Sequence, residues 1–247
     1  MIHAVLAGIV AGSLLFPSSL CAIDRYNVLG FERGESDTVP EGWEHITYPG
    51  ALKNKFSIKE EGKSTVLRVT SLNSASAMFT RVDIDLAVYS VLVWRWRVNR
   101  VVGMAVETKR DRNDSAARVR VVFGSTADRL VDEEMPAVLK FLKDQGIEFP
   151  TGEPRGYKID YIWANRLEKG RHLDYPGEGN HRVIVLETGN DRAGRWLWEE
   201  RNLAKDFRKC FGFDPPRLSG VLVLSDTDQT NEGVKAAFGN MVLIVKE

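Results

Sequence analysis

Val91-Leu92-Val93-Trp94-Arg95-Trp96-Arg97-Val98 decides the fold. Leu92, Trp94, Trp96 and Val98 share one parity; Val91, Val93, Arg95 and Arg97 share the other. Successive side chains of a strand point to opposite faces, so this octamer reads as a strand with one core face and one polar face. Two more segments keep the period of two. Val82, Ile84 and Leu86 alternate with Arg81, Asp83 and Asp85, and Ala117, Val119, Val121 and Phe123 alternate with Arg118, Arg120 and Val122. Shorter strands are expected over 43–48, 56–60, 65–70, 76–80, 104–108, 158–164, 182–188, 220–225 and 240–245. Many short strands broken by turn residues predict a mainly β chain, an antiparallel β-sandwich of jelly-roll type.

Two short helices are expected to interrupt the strands. Over Glu199 to Phe211, Leu203, Phe207, Cys210 and Phe211 fall on one helical face. Glu199 and Glu200 suit the positive end of the helix dipole, Arg208 and Lys209 the negative end, and Gly212 stops it. The second helix, Pro136 to Gln145, lies in an insertion spanning about 125–157 that is expected to cover an edge or end of the sandwich.

Thirty-four Lys+Arg balance 34 Asp+Glu, and 43% of the 247 residues are hydrophobic. Such a composition belongs to a globular domain. Zero net charge argues against a nucleic-acid partner, which calls for a basic excess or stripe. Residues Ala4 to Phe16 are uncharged and largely apolar, and Pro17-Ser18-Ser19 follow. The run is shorter than the roughly 20 residues of a membrane-spanning helix and resembles the hydrophobic part of a signal peptide. The expected organisation is therefore a signal peptide over 1–22 and a single domain over 23–247, periplasmic or secreted, with no transmembrane segment, and monomeric. A lipid-anchored form at Cys21 is the alternative, but Leu20 stands where a small residue belongs. Cys210 is then the remaining thiol and reads as a structural cysteine on the helix's apolar face.

The polar parities supply the first candidate surface. Arg95, Arg97, Arg118 and Arg120, with Arg81, Asp83 and Asp85, would form a guanidinium–carboxylate ladder if their strands were neighbours. Arg forks match carboxylates, so such a face suits an acidic polysaccharide. The plainer alternative is a self-paired salt-bridge lattice. Trp94 and Trp96 share parity with Leu92 and Val98 and belong to the core. Trp196 and Trp198 stand in a more polar stretch, where an exposed indole would offer a platform for a sugar ring.

Asp226-Thr227-Asp228-Gln229-Thr230-Asn231-Glu232-Gly233 places oxygen donors at alternating positions, with Asp226, Asp228 and Thr230 as candidate ligands of calcium. It is not an EF-hand loop, since Ala237 stands where the closing acidic residue would be. The alternative is an Asx-rich hairpin turn. Asp111 to Asp114 would join the site only if the fold brings it close. For hydrolysis, Glu187, Glu199, Asp226 and Asp228 are the carboxylates available for an acid–base pair. His45, His172 and His181 are scattered, and neither a nucleophile elbow nor a phosphate-binding glycine loop occurs.

The segments Val93 to Val98, Asp111 to Phe123, Tyr161-Ile162-Trp163, Trp198 to Asn202 with Asp206 and Phe207, and Ser225 to Thr230 leading to Gly239 resemble the bacterial domain-of-unknown-function 3047 family, in order along nearly the whole chain after residue 25. Gly239-Asn240 departs from that pattern, which places an acidic residue after the glycine. The resemblance implies an exported bacterial protein and transfers no catalytic residue. Three functions remain open at this point. They are a non-catalytic sandwich binding carbohydrate or another envelope component, a carboxylate-dependent glycoside hydrolase or polysaccharide lyase, and a purely structural envelope protein.

Overall fold

The computed structural model describes residues 25–30, 36–37, 39–124 and 155–245. The signal-peptide segment and most of the expected insertion, with its Pro136 to Gln145 helix, lie outside the described residues. The remainder is mainly β and forms two sheets. The smaller has strand order β11(Leu197–Asn202), β6(Val91–Val98), β13(Gly233–Ile244), β4(Ser64–Leu72), β3(Lys55–Glu61), with β1(Arg25–Leu29) also pairing β13. The larger runs β2(Trp43–Thr47), β5(Ala75–Ile84), β12(Leu218–Asp226), β7(Ser115–Phe123), β8(Tyr157–Ala164), β10(His181–Thr188), β9(His172–Asp174).

The core lies between the sheets, where the alternating apolar parities meet. Leu92, Trp94, Trp96 and Val98 of the smaller sheet and Ala117, Val119, Val121 and Phe123 of the larger belong to one buried cluster. Trp94 packs 5.5 Å from Tyr161, and Trp96 packs 5.9 Å from Trp163, ring centre to ring centre across the two sheets. Large aromatic rings meeting off-parallel fill such an interface efficiently.

Several expectations are corrected. The pairing is mixed, because β8 and β10 run parallel while the other strand pairs are antiparallel. Residues 76–80 and 82–86 do not form two strands; one strand, β5, runs from Ala75 to Ile84. Residues 104–108 form turns rather than a strand. The helix α1 begins at Leu203, not Glu199, and ends at Phe211. Residues 199–202 instead complete β11, whose ladder with β6 pairs Glu199 with Trp94 and Asn202 with Val91. Asn202 is the N-cap, its side chain accepting from the Lys205 amide, and Gly212 takes the left-handed conformation (φ 83°) that closes the helix. Tertiary pairing thus claims the first turn that the helical pattern suggested. No described helix is long and apolar enough to cross a membrane.

Candidate functional site

Three polar constellations stand out, one on each outer sheet face and one at an edge between the sheets. The outer face of the smaller sheet carries the first. The parity that buries Trp94 and Trp96 turns Arg95 and Arg97 outward beside β11, where Trp196 is half-buried and Trp198 is 66% exposed. The Arg95 guanidinium lies 4.7 Å from the Trp196 ring centre and 5.8 Å from that of Trp198; Arg97 lies 4.8 Å from Trp196. A guanidinium over an aromatic face is attracted by the ring's quadrupole, so these contacts hold the arginines against the indoles. Arg95 crosses the adjacent strand at Gly239, where any side chain would collide with it. Arg97 donates to both oxygens of Glu61 (2.8 and 2.9 Å), and Arg68 donates to the same carboxylate. Burial alone would raise the Glu61 pKa; the Arg68 hydrogen bond and the Arg97 and Arg68 charges outweigh it and hold the carboxyl below its ordinary value. The four residues Trp196, Trp198, Arg95 and Arg97 therefore form one platform.

Arg118 and Arg120 do not join it. They sit on the other sheet, so the expected ladder is not formed. Neither is solvated: their side chains are each 3% exposed, and the side chain of Asp160 is fully buried. Arg118 Nη1 donates to Asp160 Oδ2 (2.9 Å), and Arg120 donates to both Asp160 oxygens (2.6 and 2.8 Å). His181 Nε2 lies 3.0 Å from Asp160 Oδ1, and its Nδ1 lies 3.2 Å from Glu178 Oε2. The Tyr175 ring stacks on His181 (4.0 Å) and lies within 6 Å of both guanidiniums. Burial works against the Asp160 charge, but Arg120, His181 and Arg118 hold its pKa well below the ordinary range. The alternation marks Arg118 and Arg120 as outward-facing, and they do point away from the core between the sheets. Outward does not mean wet here, because β7 and β12 are central strands buried on both faces. Asp160 alone has a sequence signal, a carboxylate at outward parity within an expected strand. Tyr175 and Glu178 lie in a loop with no periodicity to mark them.

At the end of the same face, Asp114, Asp226 and Asp228 converge, each offering a carboxylate oxygen, with these atoms all within 4.8 Å of one another. The register explains it: Asp226, the last residue of β12, pairs with Ser115, so Asp114 lies next to it. Thr227 points the opposite way. Its amide donates to the Ser74 carbonyl (3.0 Å), and its hydroxyl is 2.8 Å from the Ser71 hydroxyl on the smaller sheet, which pins the turn. Thr230 stands against Asp114, a member of the same cluster. Its amide (2.9 Å) and hydroxyl (2.6 Å) both donate to Asp114 Oδ2 and orient that carboxylate. Burial drives the Asp226 pKa well up, the Arg118 charge opposes this, and Asp114 and Asp228 reinforce it.

The third constellation lies where β11 meets the core. Glu199 accepts from the Trp96 indole N–H (3.1 Å), while Glu187 accepts from Lys169 (2.7 Å) and Arg192 (2.9 Å). Burial raises the Glu199 pKa to about 7; Lys169 opposes this and Glu187 adds to it. The remaining two candidate carboxylates, Asp226 and Asp228, belong to the triad instead. Cys210 is a free, half-buried thiol whose pKa burial pushes up to about 11, which keeps it protonated and unreactive.

A family model described as "Protein of unknown function (DUF3047)" matches residues 41–242. The chain belongs to the DUF3047 family. Its resembling segments are those that build the sites: Asp111 to Phe123 brings Asp114, Arg118 and Arg120, Ser225 to Thr230 brings Asp226 and Asp228, and Val93 to Val98 brings Arg95 and Arg97. No curated protein matches this DUF3047 chain. Among solved structures it is similar to the xyloglucanase domain of NopAA, a type three effector from Sinorhizobium fredii, at 10% identity and TM-score 0.43, covering 91% of this chain and 99% of that one. It is similar also to endoglucanase cel12A from Rhodothermus marinus, at 8% identity and TM-score 0.42, covering 90% and 100%. A family 12 xyloglucanase from Bacillus licheniformis gives 5% identity and TM-score 0.41, covering 90% and 100%.

Proposed function

We propose that this protein is an exported, non-catalytic β-sandwich of jelly-roll type that binds an acidic polysaccharide of the cell envelope, in the periplasm or outside the cell. The observation that carries the reading is the exposed Trp198 ring with the Arg95 guanidinium held beside it by Trp196. An indole plate stacks on the apolar face of a sugar ring, and a guanidinium fork takes a uronate carboxylate. Among the described residues no ion pair joins Arg95 to a carboxylate, so its fork is available to a ligand, whereas Arg97 is already engaged by Glu61. Binding to a panel of neutral and uronate-containing polysaccharides tests it. Trp198→Ala is expected to weaken binding of every ligand by about tenfold, roughly 1.4 kcal/mol. Arg95→Gln is expected to weaken only the acidic ones. Unaltered affinity in Trp198→Ala would place the ligand elsewhere, and absence of binding by the parent protein across the panel would leave the purely structural reading standing.

The pair Glu187 and Glu199 supports a second reading, a carboxylate-dependent glycoside hydrolase or polysaccharide lyase. One carboxylate is pushed towards neutrality while its neighbour is held by two cations, and two carboxyls in contrasting environments are what acid–base chemistry uses. Release of new chain ends from a polysaccharide panel, lost in Glu199→Gln without loss of folding, would favour this reading over the first.

A further inference from the structure

The carboxylate triad on the larger sheet is separate from the Trp198 platform, and its electrostatics are unfinished. Asp114 is 1% exposed and Asp226 8%, yet the cation that acts on Asp226, Arg118, already donates to Asp160 and to the Asn113 carbonyl. Asp226 Oδ1 and Asp228 Oδ1 are both buried with no hydrogen-bond partner. Buried acceptors are almost always satisfied, so two orphaned carboxylate oxygens in one cluster call for an absent donor or cation. A donor would satisfy one oxygen; a cation can take several at once.

We propose that Asp114, Asp226 and Asp228 bind a hard divalent cation, calcium being the ion the donor set suits. Every donor is oxygen, with no His or Cys among them, which disfavours zinc and copper and favours calcium, magnesium or manganese. The site is organised before the ion arrives. Thr230 fixes Asp114, and the Thr227 contacts to Ser71 and Ser74 fix the turn that aims Asp226 and Asp228.

Calorimetric titration of the chelator-treated full chain with calcium chloride, and separately with magnesium chloride, tests the proposal. One ion per chain with a rise in melting temperature is expected for calcium. Asp228→Asn, which keeps the shape and removes one charge, is expected to weaken binding at least tenfold, and Asp114→Asn to do the same. Absence of binding heat and of any melting shift with millimolar calcium or magnesium overturns the proposal, as does an Asp228→Asn chain that binds as tightly as the parent. Because the wild-type titration is decisive alone, a variant that fails to fold does not rescue it. Glycan binding at Trp198 is measured independently, so either reading can fail without the other.

Discussion

Two buried carboxylates show how neighbours decide charge. Asp160 is ionised in the interior because two guanidiniums and a histidine surround it. Asp160→Asn leaves Arg118 and Arg120 buried and under-paired, and breaking a buried ion pair from one side costs about 3–5 kcal/mol. Urea unfolding is expected to show a loss of that order. Less than about 1 kcal/mol would mean that water reaches the cluster. Glu199 is the opposite case. Its pKa is about 7 in the folded chain and about 4.3 when unfolded. The folded state holds the proton more tightly, so Glu199 takes stability away as pH rises from about 4.3 to 7. Glu199→Gln keeps an acceptor for the Trp96 indole and removes the titration. It is expected to stabilise the protein by about 1–3 kcal/mol at pH 8 and to change little near pH 4.

Single elements place whole sites. The β6 strand sends Trp94 and Trp96 into the core and Arg95 and Arg97 to the platform, so one alternation serves both packing and the proposed binding face. Opposite Arg95, β13 supplies Gly239, and its register shifts between Phe238 and Met241. Gly239→Ala is expected to lift Arg95 from Trp196 and to lower affinity for acidic polysaccharide several-fold while neutral ligands bind as before; equal losses for both would show a folding defect instead. The α1 helix depends on its cap, and Asp206 in its first turn accepts from Tyr161 (2.8 Å) and from two nitrogens of the Arg201 fork, tying the helix to the larger sheet. Asn202→Ala is expected to cost about 1 kcal/mol in thermal or urea unfolding.

Across the molecule, acid and base sides are governed by different groups. Glu178 has its pKa lowered to about 2, chiefly by its hydrogen bond to His181, against burial and with help from Lys158. A carboxyl depressed in this way stabilises above its unfolded pKa of about 4.3 and loses that contribution as pH falls towards its folded value. With Glu199 acting in the reverse sense above about 4.3, stability is expected to peak in mildly acidic solution and to fall on both sides, which a pH series of melting curves checks. How much of this was legible differs from residue to residue. Reading the alternation at Val91 to Val98 and Ala117 to Phe123 was enough for strands, for an inward Trp94 and Trp96, and for outward arginines, because side-chain direction in a strand is a local property of period two. A polar stretch around an indole marks Trp198, and the spacing of oxygen donors marks the acidic 226–230 turn, both of them local features too. Strand order is not local. It put Arg95 and Arg118 on different sheets, buried Arg118 and Arg120 against Asp160, converted Glu199 from helix to strand, and brought Asp114 to Asp226 through a β7–β12 register that no window of sequence contains. Direction along a strand is set by the backbone of that strand alone, whereas neighbours, burial and hence charge state are set by chain segments that meet only when the whole sheet has formed.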